Sequence, residues 1–129
     1  MLPVRVSSTN LHFQQQIAIG DFQLLADEPL ELGGDNTGAD PFSYVLAGLG
    51  ACKAITLKMY AERKGWLLRD VVVDLVHEKS PEGQSRIIVQ LQLEGELTTE
   101  QRQRLAEIAD KCPVHKLLIA EVDIQTRLY

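Results

Sequence analysis

The chain has 129 residues, 45% apolar and 24% charged, with a formal net charge of −5. This is the composition of an ordinary soluble globular protein, long enough for one domain, residues 1–129, with a real core. The acidic balance argues against a general nucleic-acid binder, because phosphate contacts need a cationic surface, and no apolar span of about 18 residues suggests a membrane crossing. The opening MLPVRVSSTN lacks the apolar stretch of a signal peptide, which points to the cytoplasm. A structural disulfide is not expected there. The two cysteines, Cys52 and Cys112, are then free thiols, a redox pair or metal ligands.

Short strands come first. Val4 and Val6 alternate with polar neighbours, and Leu11, Phe13, Gln15 and Ile17 alternate with His12, Gln14 and Gln16. Gly20-Asp21 turns the chain into Phe22 to Leu25, a hairpin pattern. Ala26 to Asp40, with Pro29, Gly33, Gly34, Asn36 and Gly38, reads as a long loop of the kind that often carries function.

A long helix then starts near Pro41, where the missing N–H costs nothing, and stops at Gly65 behind Arg63 and Lys64. Its first half is apolar nearly all round, with Lys53 as the one charge, so burial on several sides is expected. A second copy of the helix in an obligate dimer would provide that cover. Gly48 and Gly50 each cost about 1 kcal/mol against alanine inside a helix. Close approach of another backbone would offset this, or the glycines pack on the chain's own strands.

Arg69 to Glu78 forms a strand, KSPEGQS turns the chain, and Ile87 to Glu94 alternates as a half-buried antiparallel strand. Thr98 opens a second helix, with Gln101 completing a capping box. Leu105, Ile108, Ala109 and Cys112 follow at helical spacing until Pro113 breaks the helix. A short turn over Val114 to Ile119 leads to a last strand, where Ala120, Val122, Ile124, Thr126 and Leu128 alternate with polar residues. The order is βββ-α-ββ-α-β, an α+β class with mostly antiparallel pairing.

The thiolate is the reactive form of cysteine. Cys112 follows Lys111, precedes His115 and Lys116, and stands where a new helical turn begins, all of which favour the anion. Both cysteines are expected to face inward, Cys52 through Leu49 and Ile55 and Cys112 through Ile108. One thiolate attacking a peroxide would give a sulfenic acid that the second thiol resolves. Two plain core cysteines are the competing reading. A metal site from Cys112 and His115 with Cys52 or His77 has no second close ligand pair to support it, so no metal is expected. His115 alone suits a structural histidine. No GxSxG elbow points to a serine hydrolase, and GGDNTG lacks the lysine of a phosphate loop.

The segments ADEPLELGGDNTGADP, LAGLGACKAITLKMYAERKGW and LTTEQRQRLAEIADKCPVHKLL resemble the OsmC/Ohr family of osmotically inducible and organic hydroperoxide resistance proteins. The likeness runs from about Asp27 to the end of the chain. It implies antiparallel sheets wrapped around long central helices in an intertwined homodimer, with active sites at the interface. It further implies a cofactor-free thiol peroxidase of oxidative or osmotic stress defence. Cys52 would be the peroxidatic thiol and Cys112 the resolving one, acting on an organic hydroperoxide with a dithiol reductant. Peroxidase members usually carry a glutamate where this chain has Ser43, and an arginine from the long loop. This chain has no arginine between Arg5 and Arg63. Loss of one such charged hydrogen bond costs about 1.5–3 kcal/mol. Ser43, Glu28, Glu31 and His115 are the remaining candidates for support. The alternative is an OsmC-like protein with reduced or no peroxidase activity, binding an apolar small molecule at the dimer-interface pocket.

Overall fold

The computed structural model describes residues 1–129, and Met1–Val45 and Leu46–Tyr129 form two compact units. In the first unit, β1 (Val4–Ser8), β2 (Gln15–Ile19) and β3 (Phe22–Ala26) make an antiparallel sheet in the order β1-β2-β3. Ile17 stands opposite Val6 on one side and Leu24 on the other. The alternation from Leu11 does not become strand until Gln15. Thr9 Oγ1 accepts from the Leu11 N–H at 3.1 Å, and such local side-chain bonds compete with a ladder.

The long loop is tied at its ends. Asp27, only 2% exposed, accepts from the Glu28 N–H at 2.7 Å, the Thr37 N–H at 3.1 Å and the Thr37 hydroxyl at 2.6 Å. The Thr37 hydroxyl is the main cause that holds the Asp27 carboxyl below its usual range. A parallel bridge between Ala26 and Ala39 closes the loop.

Helix α1 (Pro41–Lys64) begins in the first unit and runs through the second. Its start is fixed by Asp40, whose carboxylate accepts from the Ser43 N–H and hydroxyl. At its end Gly65 takes φ +72°, a left-handed conformation costly for other residues. The Gly65 N–H then reaches Glu62 O at 3.1 Å and the Trp66 N–H reaches Ala61 O at 2.9 Å, which satisfies carbonyls that the helix leaves open. Burial falls on one stripe, Leu49, Gly50, Lys53, Leu57 and Ala61. Ile55 and Met59 on other faces are 59% and 65% exposed, so within the chain the helix is not covered on several sides.

Strands β4 (Leu67–Lys79) and β5 (Ser85–Glu96) form a long antiparallel hairpin, with Val73 opposite Leu91 and Val71 opposite Leu93. Helix α2 (Thr99–Ala109) opens with the expected capping box of Thr98 and Gln101. The core of this unit is Leu57, Ala61, Leu105, Ile108 and Ala109, flanked by Trp66, Leu68, Val71, Leu91 and Leu93. Arg104 Nε on α2 donates to Tyr60 Oη on α1 at 3.2 Å. A short helix α3 (Pro113–Ile119) follows, where a turn was expected.

The α+β class and the antiparallel pairing are as expected. The last element differs: Ala120 to Tyr129 joins neither sheet and lies exposed. Alternation marks a segment able to pair, but pairing needs an edge to pair with, and none within the chain takes this segment.

Candidate active site

The site lies where the middle of α1 meets the junction between α2 and α3. Helical periodicity sets the α1 side: Leu49, Lys53 and Leu57 follow each other at four-residue spacing and face inward together. Cys52, one position away from that stripe, is half-buried, while Cys112 is fully buried, and both are free thiols. Ile55 is exposed, so Cys52 does not share an inward face with it.

Pro113 decides the other side. It excludes helical geometry from the residue before it, and Cys112 has φ −69° and ψ 145° as the N-cap of α3. In that place its Sγ accepts from the His115 N–H at 3.3 Å. The Cys112 thiol is pushed up from the ordinary range, chiefly because burial penalises the anion. The His115 N–H pulls it down, a hydrogen bond and the charge of Cys52 push it up, and the Lys53 charge pulls it down. Cationic neighbours in sequence were expected to favour the anion, but burial outweighs them.

Lys53 is 1% exposed. Its Nζ donates to Ala109 O at 2.8 Å, to His115 Nδ1 at 2.9 Å and to Asp110 Oδ1 at 3.5 Å. These three acceptors use all three ammonium hydrogens. An ammonium can only donate, so His115 Nδ1 is the acceptor in this contact. Asp110 Oδ1 lies 3.9 Å from the same Nδ1, but the shorter Lys53 contact excludes an ion pair there.

Cys52, Cys112 and His115 therefore come together, with Lys53 and Asp110 added by the structure. In the sequence Lys53 is the one charge in an apolar run, adjacent to Cys52. The signal was its register with Leu49 and Leu57, since a lone charge on a core-facing stripe must find partners. Ser43, Glu28 and Glu31 belong to the first unit. There Ser43 is engaged by Asp40, Glu28 is half-buried, and Glu31 is exposed in a 3₁₀ turn. His77 Nε2 pairs with Ser85 Oγ across the β4–β5 hairpin at 3.2 Å. No cluster of three His, Cys, Asp or Glu side chains is arranged to hold a metal ion.

A family model described as OsmC-like protein matches residues 34–127. Among solved structures, an OsmC-like protein from Mycoplasma pneumoniae superposes with a TM-score of 0.77 at 17% identity, over 92% of this chain and 86% of that one. An organic hydroperoxide resistance protein OsmC from Legionella pneumophila gives 0.67 at 22% identity, over 95% and 92%. An organic hydroperoxide resistance protein from Elizabethkingia anophelis gives 0.68 at 20% identity, over 92% and 88%. At these identities the likeness concerns the fold. No curated protein matches the chain in sequence.

Proposed function

Since the chain belongs to the OsmC-like protein family, we propose that it reduces organic hydroperoxides with Cys52 and Cys112 in stress defence. One observation carries the assignment of roles: Cys52 is partly open to solvent, whereas Cys112 is fully buried within hydrogen-bonding reach of it. That difference in exposure supports Cys52 as the thiol a peroxide meets and Cys112 as the one that resolves what forms there. The Cys52 thiolate attacks the hydroperoxide, an alcohol leaves, and Cys52 becomes a sulfenic acid. Cys112 condenses with it to a disulfide and releases water, and an external dithiol restores both thiols. Names of structural relatives as hydroperoxide resistance proteins support this reading.

The test is consumption of cumene hydroperoxide by catalytic amounts of protein with dihydrolipoamide as reductant. We expect sustained turnover, faster than with hydrogen peroxide. A rate equal to that without protein would overturn the proposal.

The reading includes a homodimer. Gly48, Ala51, Ile55 and Met59 form an exposed stripe on α1, with small residues at one end that allow close approach of a second helix. A side chain at Gly48 would meet nothing within 4 Å, whereas at Gly50 it would press on Leu75 Cδ1 of β4 at 2.7 Å. Gly50 is thus accounted for by the chain's own strand, and Gly48 calls for a partner. Sedimentation is expected near twice the 14.4 kDa chain mass, with dissociation in Gly48→Leu. A wild-type monomer at micromolar concentration would remove this part.

A second reading, an OsmC-like module that binds an apolar small molecule, draws on Ser43, whose hydroxyl is committed to Asp40. Native mass spectrometry would find such a ligand, and empty protein with rapid peroxide turnover would exclude it.

A further inference from the structure

Two charged side chains are buried, Asp27 in the long loop and Lys53 beside the cysteines, and the two-cysteine chemistry does not use Lys53. Lys53 lies on the same stripe as Leu49, Leu57 and Ala61, where an apolar side chain would avoid a desolvation cost of several kcal/mol. Replacing buried ionic groups by well-packed apolar ones is often neutral or stabilising, so core stability alone does not explain a lysine there.

Its contacts indicate a different use. Nζ is bonded to Ala109 O and Asp110 Oδ1 at the end of α2, and to His115 Nδ1 in the first turn of α3. Cys112 is the N-cap between those two groups, and the N–H of the same His115 donates to its Sγ. Lys53 also neighbours Cys52 on a single rigid helix, so one element sets the place of the oxidised sulfur and of the cation.

We propose that Lys53 is a positioning residue for disulfide formation: its ammonium holds the α2–α3 junction in place and supplies the positive charge that favours the Cys112 thiolate.

The step rests on the two-cysteine reading above. Cys112 gives up its proton, and the resulting thiolate attacks the sulfur of the Cys52 sulfenic acid. The S–S bond forms as the S–O bond breaks, and hydroxide leaves as water after taking up one proton. The Cys112 sulfur is oxidised and the Cys52 sulfur reduced, with the hydroperoxide as the original oxidant. The groups facing Cys112 are Cys52 and Lys53 from α1 and His115 from α3, while Asp110 at the end of α2 shares the Lys53 charge. Burial pushes the Cys112 thiol up, and Lys53 is the cation that opposes it. Without that charge the thiolate fraction of the fully buried sulfur falls further as the sulfenic acid forms.

Two measurements test the proposal. The first titrates the Cys112 thiolate by its 240 nm absorbance in reduced Cys52→Ser protein, with and without Lys53→Met. The midpoint is expected to rise by about one pH unit, a tenfold loss of thiolate. Lys53→Arg is expected to restore most of it. Lys53→Gln keeps a neutral donor for Ala109 and His115, so it separates the charge from the hydrogen bonds and serves if Lys53→Met does not fold. The second follows dimedone trapping of the Cys52 sulfenic acid in Lys53→Met protein with Cys52 and Cys112 intact, after one equivalent of cumene hydroperoxide. The trapped species is expected to persist about tenfold longer than in wild type. Unchanged titration midpoints in both Lys53→Met and Lys53→Gln would overturn the proposal. Absence of any sulfenic acid in wild type would instead overturn the two-cysteine reading, while the titration still decides whether Lys53 acts on Cys112.

Discussion

Serine at position 52 is expected to lower hydroperoxide turnover by on the order of 10³-fold or more, the scale seen when an enzyme loses its nucleophile. An alcohol does not ionise near neutral pH, and the anion is what attacks the peroxide oxygen. The substitution is nearly isosteric at a half-buried position, so loss of activity would not reflect loss of fold. Serine at position 112 should behave differently. Cys52 then reacts once and stops as the sulfenic acid, because its partner is gone, and further peroxide drives it to the sulfinic acid. Mass spectrometry of the two variants is decisive. Cys112→Ser should gain one oxygen and then two at Cys52, while Cys52→Ser should gain none at Cys112, which is fully buried. Oxygen appearing first on Cys112 in wild-type protein would reverse the roles. Wild-type turnover by Cys52→Ser would end the assignment.

Leu57→Ala is expected to destabilise the protein by about 2–5 kcal/mol, through lost transfer energy and the cavity left behind. Leu57 is fully buried on α1 and packs with Ala61, Leu105, Ile108 and Ala109. For a chain of this size that loss lowers the Tm by roughly 10 °C, readable by calorimetry or thermal circular dichroism. The effect should also reach the site. Leu105, Ile108 and Ala109 all belong to α2, and the carbonyl of Ala109 is the shortest contact of Lys53. A loosened α2 therefore moves the anchor of the Cys112 junction, and disulfide formation should slow along with the fall in stability. A change in Tm below about 2 °C would mean that Leu57 does not carry the packing of this core.

The parts of the fold that could be read from sequence are those fixed by neighbours in the chain. Pro41 and Gly65 bound α1 because each acts on its own backbone. Thr98 and Gln101 announce α2 because a capping box closes within one turn. The hairpins follow from alternation and turn residues, and the α+β class follows from the order of elements. The segment after Ala120 has the same alternation and joins no sheet in the chain, because pairing depends on an edge that the segment does not contain.

The candidate site divides along the same line. Sequence alone determined that two thiols exist, that Pro113 breaks the helical run at Cys112, and that Cys52 rides mid-helix. Only the tertiary structure decided what surrounds them: Cys112 wholly buried, Cys52 half-open, and Lys53 turned inward. Lys53 meets Ala109 across 56 residues and His115 across 62, separations at which no local pattern acts. Backbone preferences span a few residues, whereas the charge and burial that tune a thiol come from groups brought together by packing.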